Sequence, residues 1–229
     1  MIASLAGRLL VATPLLEDRN FARTVVLICV HNEQGALGLV LNRPLDEAVA
    51  LHLPEWSARA AAPPVFFAGG PVLRTVVMAL GVNGAAAGTA FQAEWWTRVT
   101  PELGLIDLRD APDDVERVVE PARLFVGHAG WGAGQLEMEI VEEAWFVVDS
   151  RPGDALTPHP ERLRAEVLRR QRGRRAERAW AGMAMAGMAM AGMAMYANYP
   201  ADPRLNERIT APSPASMAAR RAASAPVPR

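Results

Sequence analysis

Residues 123–149, RLFVGHAGWGAGQLEMEIVEEAWFVVD, run from an apolar strand through a glycine-rich turn into a short amphipathic helix and then a second apolar strand. Residues 123–127 are mostly apolar and β-compatible. Gly130, Gly132 and Gly134 then stand at alternate positions, the mark of a tight turn that exposes its backbone. With Gly134 as N-cap, Glu137 falls at the third helical position, where a carboxylate reaches back to unpaired N–H groups and suits the positive end of the helix. Leu136, Ile140 and Ala144 recur every four residues with Val141 and Trp145 beside them. This predicts one buried face and turns Gln135, Glu139, Glu142 and Glu143 to solvent.

Working outward, residues 7–12 predict a first strand stopped by Thr13-Pro14, and residues 15–23 a loop. Residues 24–30 are β-branched and apolar without alternation, as in a strand buried on both faces. A turn at 31–36, with Gly35 supplying the permissive dihedral, returns the chain as a partner strand at 37–41. Arg43 is held extended by Pro44, and Asp46 is placed to cap a short helix reaching residue 53. A strand at 65–68 ends at Gly69-Gly70-Pro71, and another at 75–82 completes a second hairpin-like unit. Further on, the pattern predicts a strand at 104–108, a helical turn at 112–119 and a helix at 158–172 with Leu163, Val167 and Leu168 as its apolar stripe.

The segments GHAGWGAGQLEMEI at 127–140, LLVATPLLEDRNFARTVVLICVHNEQGALGLVLNRP at 9–44, PVFFAGGPV at 64–72 and YANYPADPRLN at 196–206 together resemble the YqgE/AlgH family of bacterial proteins, in the same order. The resemblance implies an α/β (α+β) domain whose mixed sheet folds into a pseudo-barrel with flanking helices. It implies little chemistry, since the family is largely uncharacterised and one branch is described as a transcriptional regulator of alginate synthesis. Two positions depart from the family pattern: His128 stands where tyrosine is usual and Ala133 where proline is usual.

The chain has 229 residues, 51% of them hydrophobic, enough for a sizeable core. Its basic residues are all arginine and its net charge is −1, but the first 160 residues are acidic and the remainder basic. The expected organisation is a single domain at 5–172 followed by an arginine-rich linker and AGMAM repeat at 173–195, the family-like piece at 196–206, and a disordered Ala/Pro/Ser/Arg tail at 207–229. The repeat period of five matches neither helix nor strand, so no single buried face results. The apolar run 179–197 contains no Leu, Ile, Phe or Val, which argues against a membrane span. One cysteine excludes a disulfide framework, and Cys29 within VVLICV reads as a buried thiol. The opening MIASLAGRLLVATP lacks signal-peptide features, so the expected location is the cytoplasm.

Two groups of residues are candidates for ligand binding. Asp18 and Asn20 lie between the first two strands, and Asn42 and Arg43 follow the third, positions where loops carry functional groups. Asp18 and Arg43 are expected either to form an ion pair that fixes two loops or to share a polar pocket with Asn20, Asn42 and His128. The second group is the turn itself, Gly130, Trp131, Gly132, Gly134 and Gln135, whose N–H groups suit a phosphate or carboxylate. Against this, Glu137 already supplies a negative charge there.

Catalytic sets are hard to assemble: no GxSxG elbow is present, and His31, His52, His128 and His159 lack metal-ligand spacing. The sequence therefore predicts no cofactor, no metal and no catalytic residue. The leading expectation is a non-enzymatic module that binds a small molecule or protein and acts in transcriptional regulation. The alternatives are a hydrolase or transferase using Asp18, Asn42, Arg43 and His128, and a nucleic-acid binder using the arginine-rich segment 162–178.

Overall fold

The apolar run VVLICV fills strand β2 (Val25–Asn32), whose first five residues are buried, as a strand covered on both faces requires. After a turn the chain returns as β3 (Gly35–Val40), antiparallel to β2 from Val26↔Val40 to Asn32↔Gly35. Gly35 sits at φ 137°, where a Cβ would strike the Trp131 carbonyl, so this hairpin end is restricted to glycine. The structure, a computed structural model, describes residues 4–83, 95–106, 108 and 119–171. The helical turn expected at 112–119 falls outside these residues, apart from Val119. So do the arginine-rich linker, the AGMAM repeat, the 196–206 piece and the tail.

β1 (Arg8–Ala12) lies between β2 and β10 (Trp145–Asp149). On the other side of β3 the order continues through β9 (Val119–Gly132), β6 (Val72–Asn83), β8 (Leu103–Ile106) and β7 (Trp96–Arg98). β5 (Val65–Ala68) flanks β9 in parallel, and β4 (Pro44–Ala48) flanks β5. This mixed α/β architecture, a mostly antiparallel sheet curled into a half-barrel with a few helices, matches the expected fold class.

β9 serves both halves of the curl. Up to His128 it pairs with β6, and Phe67↔Phe125 and Ala68↔Val126 add β5 on its other edge; residues 129–132 then pair with β3. Gly127, between the two regimes, has φ 71°, and a Cβ there would lie 2.7 Å from the Gly70 carbonyl and 2.8 Å from that of Val72. Gly69 and Gly70 press back: side chains on them would meet the backbone of Gly127 and His128 respectively. The two glycine-bearing segments thus cross backbone to backbone, a contact that only missing side chains permit.

Sheet curvature separates three apolar clusters. Leu9, Val11, Leu27, Leu39, Phe67 and Phe125 face α3 (Pro160–Arg170), which contributes Leu163 and Val167. Leu10, Val26, Ile28, Trp131 and Trp145 face α2 (Gln135–Val141), which contributes Leu136. The third collects Val49 of α1 (Val49–His52), Trp56 of a 3-10 turn (Pro54–Arg59), Phe66, Ile106 and Leu124. At the last turn of α3, Arg170 donates Nη1 and Nη2 to the Oδ1 and Oδ2 of Asp154 at 2.6 and 2.7 Å, a bidentate pair that pins the helix to the loop before it.

Three local expectations are corrected. Asp46 does not cap a helix but lies within β4, whose ends pair with Val65 and Phe67 of β5; α1 starts only at Val49, with Ala48 as an N-cap that makes no side-chain bond. Cross-strand pairing therefore outweighs the local capping signal. The strands at 65–68 and 72–83 form no hairpin, because β9 lies between them. Gly130 and Gly132 do not make a turn either: both belong to β9, and only Gly134, at φ 72°, takes the left-handed conformation.

These geometries separate two glycines that look alike in sequence. Gly127→Ala should cost about 2 kcal/mol or more, combining left-handed strain with a backbone clash. Gly132→Ala should cost less than about 1 kcal/mol, because a Cβ there meets only Gln135 Oε1, at 3.9 Å. Urea unfolding of the two variants checks this, and equal losses would show that the crossing is not the tight contact described.

Candidate functional site

The β1–β2 loop is built by its own polar residues and held by the strand end opposite. Asp18 Oδ1 accepts the Asn20 N–H at 2.8 Å, and the Asp18 carbonyl accepts the N–H groups of Phe21 and Ala22, folding the loop into a turn. From the end of β3, Asn42 accepts the Val25 N–H on Oδ1 at 2.9 Å and donates Nδ2 to the Arg23 carbonyl at 3.0 Å. Arg43 Nη2 donates to the carbonyls of Arg19 and Ala22 at 3.0 and 3.3 Å. The Asp18–Arg43 ion pair is thus corrected: the guanidinium is bound to carbonyls. Burial lowers its pKa, while the charge of Asp18 acts in the opposite direction. Arg23, at φ 63°, is exposed at the tip.

Phe21 anchors this loop in the core. Its ring stacks on Trp131 at 6.1 Å between centroids and meets Trp145 edge-on at 5.6 Å. Both indoles donate to one atom, Glu139 Oε2, from Trp131 at 2.9 Å and Trp145 at 2.8 Å, while Oε1 accepts Gln135 Nε2 at 3.0 Å. Gln135 Oε1 in turn accepts the Gly132 N–H at 3.0 Å. Glu139 was expected in solvent; instead three donors turn it inward, because the two indole N–H groups have no other way to be satisfied once their rings are buried. Glu137 does not reach back to the helix start but accepts from His31 Nε2 at 2.8 Å, and His31 Nδ1 accepts the Leu5 N–H at 3.0 Å. Val141, expected on the buried face, is 81% exposed, since α2 ends there before its stripe completes a second turn.

The candidate site residues therefore fall into three places. Asp18, Asn20, Asn42 and Arg43 come together around the β1–β2 loop. Gly130, Trp131, Gly132, Gly134 and Gln135 come together around Glu139, with their polar side chains engaged within the chain. His128 stands apart from both: its side chain is buried at the glycine crossing, both ring nitrogens lack a hydrogen-bond partner, and burial lowers its pKa to about 4. No hydrogen bond or ion pair joins it to Asp18, Asn42 or Arg43.

Sequence reading missed Arg123. Its guanidinium is buried, lies 4.3 Å over the Phe67 ring, and donates to the carbonyls of Ala62, Ala155 and Thr157 at 2.6, 3.0 and 2.9 Å. Burial lowers its pKa to about 10. The available signal was a lone arginine opening an apolar strand. Cys29 is buried as expected, and burial pushes its thiol up to about 12. Among the described residues no group of three or more His, Cys, Asp or Glu could hold a metal ion, and no helix is long and apolar enough to cross a membrane.

A family model described as AlgH-like matches residues 9–176, a span that includes the loop, the glycine crossing and the Trp–Glu139 clasp. The chain belongs to the AlgH-like family. A UPF0301 protein of Streptomyces coelicolor is 46% identical over 207 residues, covering 90% of this chain and 97% of that protein. A UPF0301 protein of Thermobifida fusca is 38% identical, covering 89% and 96%. Among solved structures, a Corynebacterium diphtheriae protein superposes with a TM-score of 0.69 at 32% identity, covering 78% of this chain and 93% of that one. The AlgH protein from Pseudomonas aeruginosa gives 0.56 at 31% identity, covering 76% and 92%. Within the matched span, the segment GWGAGQLE coincides with a set of internal bonds in this chain.

His128 makes stability depend on pH. Its folded pKa, about 4, lies below the unfolded value of about 6.5, so the unfolded chain takes up the proton first. Stability is therefore lost as pH falls from about 6.5 and the loss levels off below about 4. His128→Phe removes this linkage and two unpaired nitrogens. Its advantage over the parent in urea unfolding should widen by about 2 to 3 kcal/mol between about pH 7 and pH 4.5. An unchanged gap would mean that the imidazole is not buried neutral.

Proposed function

We propose that this AlgH-like chain is a non-enzymatic cytoplasmic binding module whose recognition face is the β1–β2 loop. The observation that carries this is the direction of the hydrogen bonds: Asn42 and Arg43 spend their polar atoms on loop backbone, and Asp18 spends Oδ1 on the Asn20 N–H. A loop held this way has a pre-organised backbone, so a ligand meets its exposed side chains, Glu17, Arg19 and Arg23, without first having to order the chain that carries them. The occupant is a small molecule or a protein, and the regulatory role implied by the family resemblance follows from binding, not turnover. The hydrolase or transferase alternative needs Asp18, Asn42, Arg43 and His128 to converge on one reacting atom, and their bonds point elsewhere.

Native mass spectrometry of the full chain, incubated with a cytoplasmic small-molecule extract or with a protein extract, tests the assignment. A retained adduct should be lost in the Arg19→Ser/Arg23→Ser double variant, whose substitutions lie on exposed side chains and leave the loop backbone bonds in place. Retention of the adduct by that variant would move binding elsewhere on the molecule. Conversion of a retained compound to product, abolished by Arg43→Met, would establish the enzyme alternative instead.

A further inference from the structure

Three arginines gather at this loop without a carboxylate partner. Arg43 bonds only to carbonyls, Arg23 makes no side-chain bond, and Arg164 of α3 donates Nη2 to the Ala12 carbonyl at 3.1 Å. Other arginines in the described residues do find acids, as in the Arg8–Asp149 and Arg170–Asp154 pairs. Arg23 and Arg164 are close enough for the charge of one to act on the other: burial, and after it the charge of Arg23, lowers the Arg164 pKa. The backbone brings them to one place: Ala12 donates its N–H to the carbonyl of Thr24, the neighbour of Arg23, at 3.0 Å and accepts from Arg164 at 3.1 Å, and an anion there would relieve the repulsion.

A second observation points the same way. The Nε of Arg164 is buried and has no hydrogen-bond partner, and so is the Oγ1 of Thr13, a residue only 2% exposed. Thr13 directly follows the carbonyl that Arg164 grips, and its N–H bonds the Ala144 carbonyl, extending the β1–β10 pairing by one residue. Side-chain alternation then sets Thr13 with Leu9 and Val11, on the face that α3 covers through Leu163 and Val167. α2 packs on the opposite face, its Leu136 against Leu10 and Ala12, and Glu142, just past its end, also has a buried Oε2 without a hydrogen-bond partner. An unused N–H donor and an unused hydroxyl therefore lie at the same end of β1 as the uncompensated Arg23 charge. Buried polar groups are rarely left unpaired without a role.

We propose that Thr13, Arg23 and Arg164 form a binding site for the terminal phosphate of a small molecule. The proposal rests on the β1–β2 loop being the recognition face, and it names the ligand class. A phosphate dianion supplies what the site lacks: charge for two guanidinium groups and several acceptor oxygens for the Nε–H and the hydroxyl. The two unpartnered groups lie at one strand end, Thr13 beside the carbonyl that Arg164 bonds, which suits a single terminal group; a nucleic-acid backbone needs a track of repeated contacts instead.

The test is titration of the full chain with inorganic phosphate and with phenyl phosphate at constant ionic strength, read by backbone amide chemical shifts, with acetate and a single-stranded oligonucleotide as comparison ligands. Saturable shifts centred on Thr13, Arg23 and Arg164 are expected with the phosphates. Affinity should fall about tenfold in Arg23→Gln, the loss of one charge-assisted contact. Arg23→Gln removes no bond present in the free protein, so its effect is not one of folding; Thr13→Val should weaken binding less and Arg164→Gln more. Absence of saturable phosphate shifts at these residues, or equal phosphate affinity in Arg23→Gln, overturns the proposal. If acetate or the oligonucleotide saturates the loop while both phosphates fail, the ligand class is wrong and the recognition face stands. If every adduct of the chain survives the Arg19→Ser/Arg23→Ser change, the recognition face itself is wrong.

Discussion

The fold depends on one strand serving both halves of a curled sheet. β9 pairs with β6 and β5 along its first part and with β3 along its last, and the change of partner occurs at Gly127. A side chain at Gly127, Gly69 or Gly70 would drive two backbones apart, so the curl of the sheet rests on three missing Cβ atoms. With the crossing in place, β3 and β6 flank β9 and the large cores can close on either side of the sheet. The same closeness accounts for His128, whose ring is enclosed at the crossing with no polar group to meet it.

The segment from Trp131 to Glu139 serves architecture. Trp131, Gln135 and Glu139 are spaced four apart, yet they act as one unit with Trp145: a carboxylate accepts from two indoles and an amide, and the amide passes the connection to the Gly132 N–H. The unit seals the apolar cluster that holds Phe21, and Phe21 belongs to the β1–β2 loop. The glycine turn and the loop are therefore coupled through aromatic packing, without sharing a ligand. Glu139 does for this cluster what Arg123 does for the strand's other end, where three carbonyls surround a guanidinium. Each is a charge met by neutral groups, although the Nε of Arg123 is left without a hydrogen-bond partner.

Much of this was legible in the sequence, and what was not has identifiable causes. β2 and β3 were readable because an apolar run and a glycine at a hairpin end are local signals, and α3 because its stripe is periodic over eleven residues. β4 was not, since its extended state is decided by pairing with β5 about twenty residues away, while Asp46 offers only a local capping cue. Helical periodicity assigned Glu139 a direction but not its reach to indoles on two different strands. Of the candidate site, the gathering of Asp18, Asn20, Asn42 and Arg43 was legible from their positions at strand ends. The roles of Thr13 and Arg164 were not, because they depend on α3 folding back across the start of β1.

The bidentate pair between Asp154 and Arg170 has a mechanical consequence. α3 is the final described element, and the pair clamps its last turn to the loop at Asp154. Tension applied at the end of α3 meets the ion pair at the helix's last turn before it reaches Val167 or Leu163 in the core. The pair works as a strain relief where a cable enters a housing. A pull on Arg170 is taken up at the rim, and Arg164, one turn and a half further in, keeps its hold on the end of β1.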